Sequence, residues 1–392
     1  MKRFVYADNA ATTKISEEVF KSMVPFLKEN YGNASSLYKI GRSAKKALEQ
    51  SREDVANCLG ALPGEIFFTS GGSESNNWAI KCICEKFKNL GKNHIISSAF
   101  EHHAVLHTLK ALEKNGFEVT YLDVYSDGII RTDELKKAIK TTTALVTIMY
   151  ANNEIGTVQP IDEIGRICKE KGVIFHTDAV QAISSVDFDL KNQNIDMLSL
   201  SAHKIYGPKG VGALYIKRGL FFPNLIEGGS QEKNRRAGTE NIAGIVGLST
   251  AMMQCQLNKD QKNKKLLAMR DRLIEGMLKI DESILNGHRT KRLPSNVNVS
   301  FKGVEGESLL LRLDSEGIST SSGSACTSGS LDPSHVLLAI GLTHEVAHGS
   351  LRISLSDKNT EEDIDYILKC LPKVVNGLRN MSPLWEKIKK MA

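Results

Sequence analysis

No Cys-x-x-Cys pair occurs among the seven cysteines of this chain, and seven is an odd number. Neither a disulfide framework nor a zinc site is therefore indicated, and a reducing cytosol suits the composition best. No stretch of eighteen apolar residues is present, and Met1-Lys-Arg-Phe-Val-Tyr-Ala-Asp8 turns polar too early for a signal-peptide core. A soluble, cytoplasmic protein without a membrane partner is expected. Internal repeats are absent, and the Ser/Gly-rich segment Ser319 to Ser330 is the one biased stretch. Charge of one sign is also lacking: 51 basic against 45 acidic residues leave only +6. Much of that excess sits in Lys259 to Lys265, Lys291-Arg292 and Lys387 to Lys390, which read as solvated surface and not as a nucleic-acid footprint.

What remains is ordinary globular material, 41% hydrophobic and 24% charged over 392 residues. Such a chain can bury a large core without staples, and its length suits one large domain plus a small one. The expected division is a large domain over 15–260 and a small domain from 1–14 and 261–392, with a mobile cysteine loop at about 319–335.

Short apolar runs of buried-strand length recur at Glu65 to Thr69, His94 to Ser97, Val119 to Leu122, Ala144 to Ile148, Val173 to Phe175, Met197 to Leu200 and Ala213 to Ile216. Helical patterns separate most of them. Ala104 to Glu113 and Ile161 to Lys171 each end just before a glycine suited to a helix end. This alternation predicts an α/β fold with a doubly wound, mostly parallel sheet. Beyond Ala251 the pattern becomes α+β: a charged helix from Lys264 to Lys279, a strand from Asn296 to Phe301, a helix from Gly306 to Glu316, the strand Leu351 to Leu355 and a capped helix from Thr360 to Leu371.

Two residues at predicted strand ends point to chemistry. Asp178 closes one apolar run, and Lys204 follows the next one, 26 positions later. A pyridoxal 5'-phosphate enzyme needs a lysine amine for its Schiff base and a carboxylate against the pyridinium nitrogen, and in open α/β sheets ligands sit at the carboxyl ends of strands. Thr69-Ser-Gly-Gly-Ser-Glu-Ser-Asn-Asn77 lies between a strand and a helix, so Gly72 and Ser73 are candidates for a phosphate cup. Ser201 and His203 flank Lys204 and can donate to the same phosphate. Taken singly, each of these features also suits a helix cap or an exposed side chain.

In order along the chain stand Tyr6-Ala-Asp-Asn-Ala-Ala-Thr-Thr13, the Gly72 turn, Glu101-His102, Asn152-Asn-Glu-Ile-Gly156, His176-Thr-Asp-Ala-Val-Gln181, the Lys204 segment, Arg235-Arg-Ala-Gly-Thr-Glu-Asn241 and Ser322-Gly-Ser-Ala-Cys-Thr-Ser-Gly329. This series resembles the class V aminotransferases, and among them the cysteine desulfurases of the NifS and IscS type, over nearly the whole chain. The resemblance implies fold type I of the pyridoxal-phosphate enzymes. It implies Lys204 as the cofactor lysine, His102 stacked on the ring and able to relay protons, and Asn153 and Gln181 near the phenolic oxygen and substrate. Thr239 would reach the cofactor phosphate of a neighbouring subunit, which makes the enzyme a homodimer. Arg352 would take the α-carboxylate of L-cysteine in a two-point contact. Cys326 would be the catalytic thiol, receiving sulfur as a persulfide while L-alanine leaves, and passing it to an iron–sulfur scaffold or another thiol acceptor. The other cysteines, such as Cys82, Cys84 and Cys168, are expected to fill core space. Ser73 replaces the threonine of many relatives but keeps the hydroxyl. The tail from Ser382 lacks the extended docking segment of housekeeping desulfurases and stands nearer the NifS branch. A pyridoxal aminotransferase or lyase using another amino acid, and a non-enzymatic thiol carrier, are the competing expectations.

Overall fold

Residues 3–322 and 333–391 are described by a computed structural model of the chain. The candidate thiol Cys326 lies outside them. A two-residue strand, β1 (Val5–Tyr6), comes first and pairs far along the chain. The apolar runs then form β2 (Ile66–Thr69), β3 (His94–Ser98), β4 (Glu118–Leu122), β5 (Thr143–Thr147), β6 (Ile174–Asp178), β7 (Met197–Ser201) and β8 (Gly212–Ile216). They make one seven-stranded sheet in the order β2-β8-β7-β6-β5-β3-β4. Only β8 runs against the others, so the expected mostly parallel α/β sheet is present. Strands β2, β3, β5, β7 and β8 are buried along their whole length, which explains why they read as continuous apolar runs without alternation.

Helices cover both faces of this sheet. Gly72–Lys88 and His103–Glu113 pack with Trp78, Ile80, Ile83, Val105 and Leu109 against one side. On the other side, Val55 and Leu59 of helix Lys39–Leu59 join Ile164 and Ile167 of helix Ile161–Lys171 and Leu248 of helix Ile242–Gln256. Gly172 stops its helix at φ 65° in the left-handed region, as its position predicted.

The later part of the chain has its own apolar cluster. Strands β9 (Ser283–Leu285) and β10 (Asn296–Phe301) precede β11 (Ile318–Ser319), and β12 (Ser350–Ser354) closes an antiparallel β12-β10-β9 sheet. Met269, Leu273 and Met277 of helix Lys259–Met277 meet Val297, Val299, Phe301, Leu351 and Ile353 there. β1 pairs in parallel with β11, which carries the N-terminal segment back to the sheet's end.

Three expectations are corrected. The helix expected to stop at Leu371 runs through Pro372 from Glu361 to Arg379. Ile364, Ile367, Leu371 and Val375 keep one apolar stripe across the proline, and burying Val375 offsets the lost backbone bond. Lys259 and Arg292, read as solvated, are both buried. Lys259 pairs with Asp187 and donates to the Val186 carbonyl at 3.0 Å, which satisfies a charge that composition alone cannot locate. Arg292 donates to the carbonyls of Ile155 and Asn286, and burial, with Arg270 and Arg289 nearby, pulls it down to about 9.

Candidate active site

Five strand ends and the N-terminal segment converge on a cavity of about 280 Å³. The turn after β2 supplies Gly72 and Ser73, and the segment after β3 supplies His102. Asn153 comes from beyond β5, Asp178 and Gln181 from the end of β6, and Ser201, His203 and Lys204 from the end of β7. Arg352 enters from β12 and Ala10 and Ala11 from the N-terminal segment.

The turn after β2 demands glycine. Gly71 adopts φ 151°, ψ −178°, a conformation open to glycine. A Cβ on Gly72 would meet Val180 Cγ2 at 2.7 Å, and one on Gly212 of β8 would meet Gly71 Cα at 2.7 Å. Backbone is thereby brought close to the space in front of the 17-residue helix Gly72–Lys88, where N–H groups and dipole favour an anion.

Asp178 is held at a definite angle. Its Oδ1 accepts from Val180 N at 3.0 Å and its Oδ2 from Asn76 Nδ2 at 2.6 Å. Asn76 Oδ1 is buried with no hydrogen-bond partner among the described residues. Behind Asp178, His176 bridges Thr147 Oγ1 at 2.8 Å and Ser199 Oγ at 3.0 Å, stitching β5, β6 and β7. Burial pushes its imidazole down to about 3, so it stays neutral.

Lys204 Nζ donates to the carbonyls of Ala10 at 2.6 Å and Ala11 at 2.7 Å. Gln181 Nε2 also donates to Ala10 O, at 3.0 Å, and His203 Nδ1 meets Thr12 Oγ1 at 3.2 Å. Burial, then the charges of Lys204 and Lys209, push His203 down to about 4. His102 caps its helix by accepting Ala104 N at 3.1 Å on Nδ1, which leaves the ring proton on Nε2. Burial lowers its pKa, Asp178 opposes that, and Lys204 and His107 add to it.

Arg352 is 3% exposed and aimed by two contacts: Nη2 to Asp8 Oδ1 at 2.8 Å and Nη1 to the Asn153 carbonyl at 3.1 Å. Its Nε has no partner among the described residues. A buried guanidinium facing a cavity in this way is suited to a carboxylate.

Thr239 is not in this cavity. It is exposed and lines a separate recess with Ser70, Arg236 and Asn241. Cys82, Cys84 and Cys168 are buried, as expected of core cysteines. The residues that follow the Cys326 segment are tied to the site's neighbours: Ser334 Oγ donates to Glu154 Oε2 at 2.5 Å, and His335 Nε2 contacts the Glu101 carbonyl at 2.9 Å.

Several contributors escaped the sequence reading. Asn76 stands one turn after Gly72, and that spacing is the signal that could have found it. Asp8, Ala10 and Ala11 stand in the motif Tyr6 to Thr13, but their contacts with Arg352 and Lys204 join residues about 200 to 350 positions apart. Glu101 is fully buried and accepts from Ser98 Oγ at 2.5 Å and Met149 N at 2.9 Å. Burial pushes it up to about 8, although those hydrogen bonds work against the rise, and Asp178 adds to it. It therefore stays protonated beside the site at neutral pH.

The family model of the aminotransferases of class V matches residues 5–367. Cysteine desulfurase IscS of Clostridium botulinum is 58% identical over 393 aligned positions, covering 100% of this chain and 99% of that protein. A solved NifS-like protein superposes with a TM-score of 0.90 at 40% identity, over 96% of this chain and 100% of its own. A second structure, described as SspA in complex with cysteine, reaches a TM-score of 0.80 at 38% identity, over 92% of this chain and 100% of its own.

Proposed function

The chain belongs to the class V aminotransferase family, and from that membership and the geometry above we propose that it is a cysteine desulfurase, converting L-cysteine to L-alanine with the sulfur retained as a persulfide on Cys326. The observation that carries the reading is the convergence of the Lys204 amine, the Asp178 carboxylate and the Arg352 guanidinium on one cavity. The residues present fit pyridoxal 5'-phosphate. Gly72 leaves open a space that a Cβ would close, at a helix N-terminus suited to a phosphate, and Asp178 supplies an oriented acid for a ring nitrogen. Gly72, Ser73, Ser201 and His203 would hold the phosphate, His102 would cover a ring face, and Asn153 and Gln181 would lie beside the phenolic oxygen. When bound, the cofactor draws electrons from the amino acid's α-carbon and makes its proton acidic.

Arg352 receives the substrate carboxylate, held in place by Asp8 and the Asn153 carbonyl. Lys204 takes the α-proton on Nζ, where the carbonyls of Ala10 and Ala11 stabilise the ammonium that forms. His102, neutral in its buried setting, can pass a proton through Nε2. The Cys326 thiolate attacks the substrate Sγ, the Cβ–Sγ bond breaks with its electron pair going to the carbon side, Cβ gains a proton to become the methyl of alanine, Lys204 returns the α-proton to Cα, and Sγ stays on Cys326. An iron–sulfur scaffold or another thiol acceptor then takes the outer sulfur.

We further assign the working form as a homodimer in the cytosol, in which Thr239 serves the cofactor phosphate of the neighbouring subunit. Its place outside its own chain's cavity supports this. No helix among the described residues is long and apolar enough to cross a membrane. The apolar cluster that joins Val5 and Ala7 to residues of 266–375 supports a small domain from 1–14 and 261–392 beside a large one over 15–260, while Leu293, Val336, Leu337, Ile340 and Ala347 pack with the large-domain core. The test is to measure alanine and sulfide from L-cysteine with a thiol present, with L-selenocysteine in parallel. Equal yields of the two products are expected, and Cys326→Ser should abolish sulfide release while the cofactor's absorbance remains. A Cys326→Ser protein with full sulfide turnover would refute the assignment.

A further inference from the structure

Glu232, Lys233 and Asn234 occupy the left-handed region in succession, at φ 45°, 59° and 64°. Three non-glycine residues do not hold that conformation unless something enforces it. The Glu232 carboxylate is gripped at both oxygens by Arg52, Oε1 by Nη2 and Oε2 by Nη1, each at 2.8 Å. Both side chains are almost wholly buried, at 2% and 3% exposure.

The pair also closes the open edge of β2. Phe68 N donates to Glu232 Oε2 at 2.8 Å, and Arg52 Nη1 donates to the Ile66 carbonyl at 2.7 Å. These are contacts an additional strand would make. β2 runs directly into the Gly72 turn, so the pair holds the strand from which that turn projects.

Just past the left-handed residues, Arg236 grips Glu74 at 2.8 Å through Nε and at 3.0 Å through Nη2. Glu74 stands in the first turn of the helix that begins at Gly72, and its Oε2 accepts from Ser70 N at 2.8 Å. A bare carboxylate there would repel a phosphate dianion arriving at the same helix end. The guanidinium removes that repulsion and locks the Ser70 backbone in one stroke.

We propose that Arg52, Glu232, Arg236 and Glu74 are positioning residues that set the affinity of the Gly72 turn for the cofactor's phosphate. Arg52 and Glu232 force the left-handed turn, the turn delivers Arg236, and Arg236 neutralises Glu74. The inference rests on the cofactor reading above and extends it to residues outside the cavity.

The experiment titrates the apoprotein with pyridoxal 5'-phosphate and with pyridoxal, which carries the same aldehyde but no phosphate, following bound aldehyde by absorbance. Arg236→Gln should weaken the phosphorylated form on the order of tenfold, about 1.4 kcal/mol. Pyridoxal binding should stay unchanged, and adding Glu74→Gln should restore most of the loss by removing the stranded charge. Glu232→Gln should reproduce the phosphate-specific loss, and combining it with Arg236→Gln should add little, because both act through one contact. Should Glu232→Gln fail to fold, the two partly exposed positions carry the test alone.

Equal weakening of both aldehydes, or no weakening of either, would overturn the proposal, as would a double variant no better than Arg236→Gln. Wild-type protein that binds neither aldehyde would overturn the cofactor reading, and this inference with it. A wild-type preference for the phosphorylated form that survives in every variant overturns this inference alone.

Discussion

Asp178→Asn separates folding from chemistry at the centre of the site. The carboxylate accepts two hydrogen bonds, from Val180 N at 3.0 Å and Asn76 Nδ2 at 2.6 Å. An asparagine can keep its oxygen on Val180 N, which turns its amide nitrogen toward another amide nitrogen. Asn76 can relieve that clash by rotating half a turn, because its own Oδ1 has no partner among the described residues and is ready to accept. The net loss is the difference between a charge-assisted and a neutral hydrogen bond, about 1 kcal/mol. With an unfolding entropy of roughly 2.1 cal/mol/K per residue over the whole chain, the melting temperature should drop by only about 1–2 °C. Turnover should fall by about 100-fold or more, since an amide cannot hold the ring nitrogen in its charged form. Calorimetry and an alanine assay on the same preparation measure both quantities. Turnover within about threefold of wild type would refute the role of Asp178, and a melting temperature lower by more than about 10 °C would refute the predicted rotation of Asn76.

Arg352→Lys should raise KM for L-cysteine on the order of tenfold or more while the cofactor's absorbance stays, because an ammonium cannot hold Asp8, the Asn153 carbonyl and a carboxylate in one plane. Unchanged KM in steady-state kinetics would exclude it from substrate binding. Gly212→Ala should destabilise the protein by about 1–3 kcal/mol in urea unfolding, because the new methyl meets Leu200 O at 2.5 Å and Gly71 Cα at 2.7 Å. His176 and His203, pushed by burial to about 3 and about 4, stay neutral in the fold while the unfolded chain protonates near 6.5. Their stability contribution is present above pH 6.5 and lost as pH falls to about 3–4, so melting temperature should decline through that window, and His176→Gln should flatten the decline. Glu101, raised to about 8 by burial, works the other way: its contribution is full below its ordinary value near 4.5 and lost as pH rises toward 8. Glu101→Gln should therefore raise the melting temperature at pH 8 relative to pH 5, compared with wild type.

The large sheet was readable because its strands are buried on both faces and short, so β2, β3 and β5 stand out as apolar runs bounded by polar turns. The convergence of Lys204 and Asp178 on one cavity was readable because both follow strand ends of the large sheet. Asn76 was harder to read, since its spacing from Gly72 is only a faint signal, and its bond to Asp178 forms only when β6 lies beside that helix. The basic residues misled for a related reason. Lys259 and Arg292 look like their exposed neighbours in one dimension, and only tertiary contacts with Asp187 and the Ile155 carbonyl distinguish them. Pro372 misled through a local rule that an apolar stripe continuing to Val375 overrode.

The pairing of β1 with β11, and of Ala7 and Asn9 with Ser354, has a temporal side during translation. The first ten residues leave the ribosome early, yet the strands that seat them are made last. At roughly 5–20 residues per second the leading end waits about 20–70 s before it can dock. Until then the segment that carries the Ala10 and Ala11 carbonyls is held only from its other side, where Thr13 pairs with His203 and Tyr206. A fragment that stops before Ser350 would lack the Ser354 anchor for the segment beside the cavity.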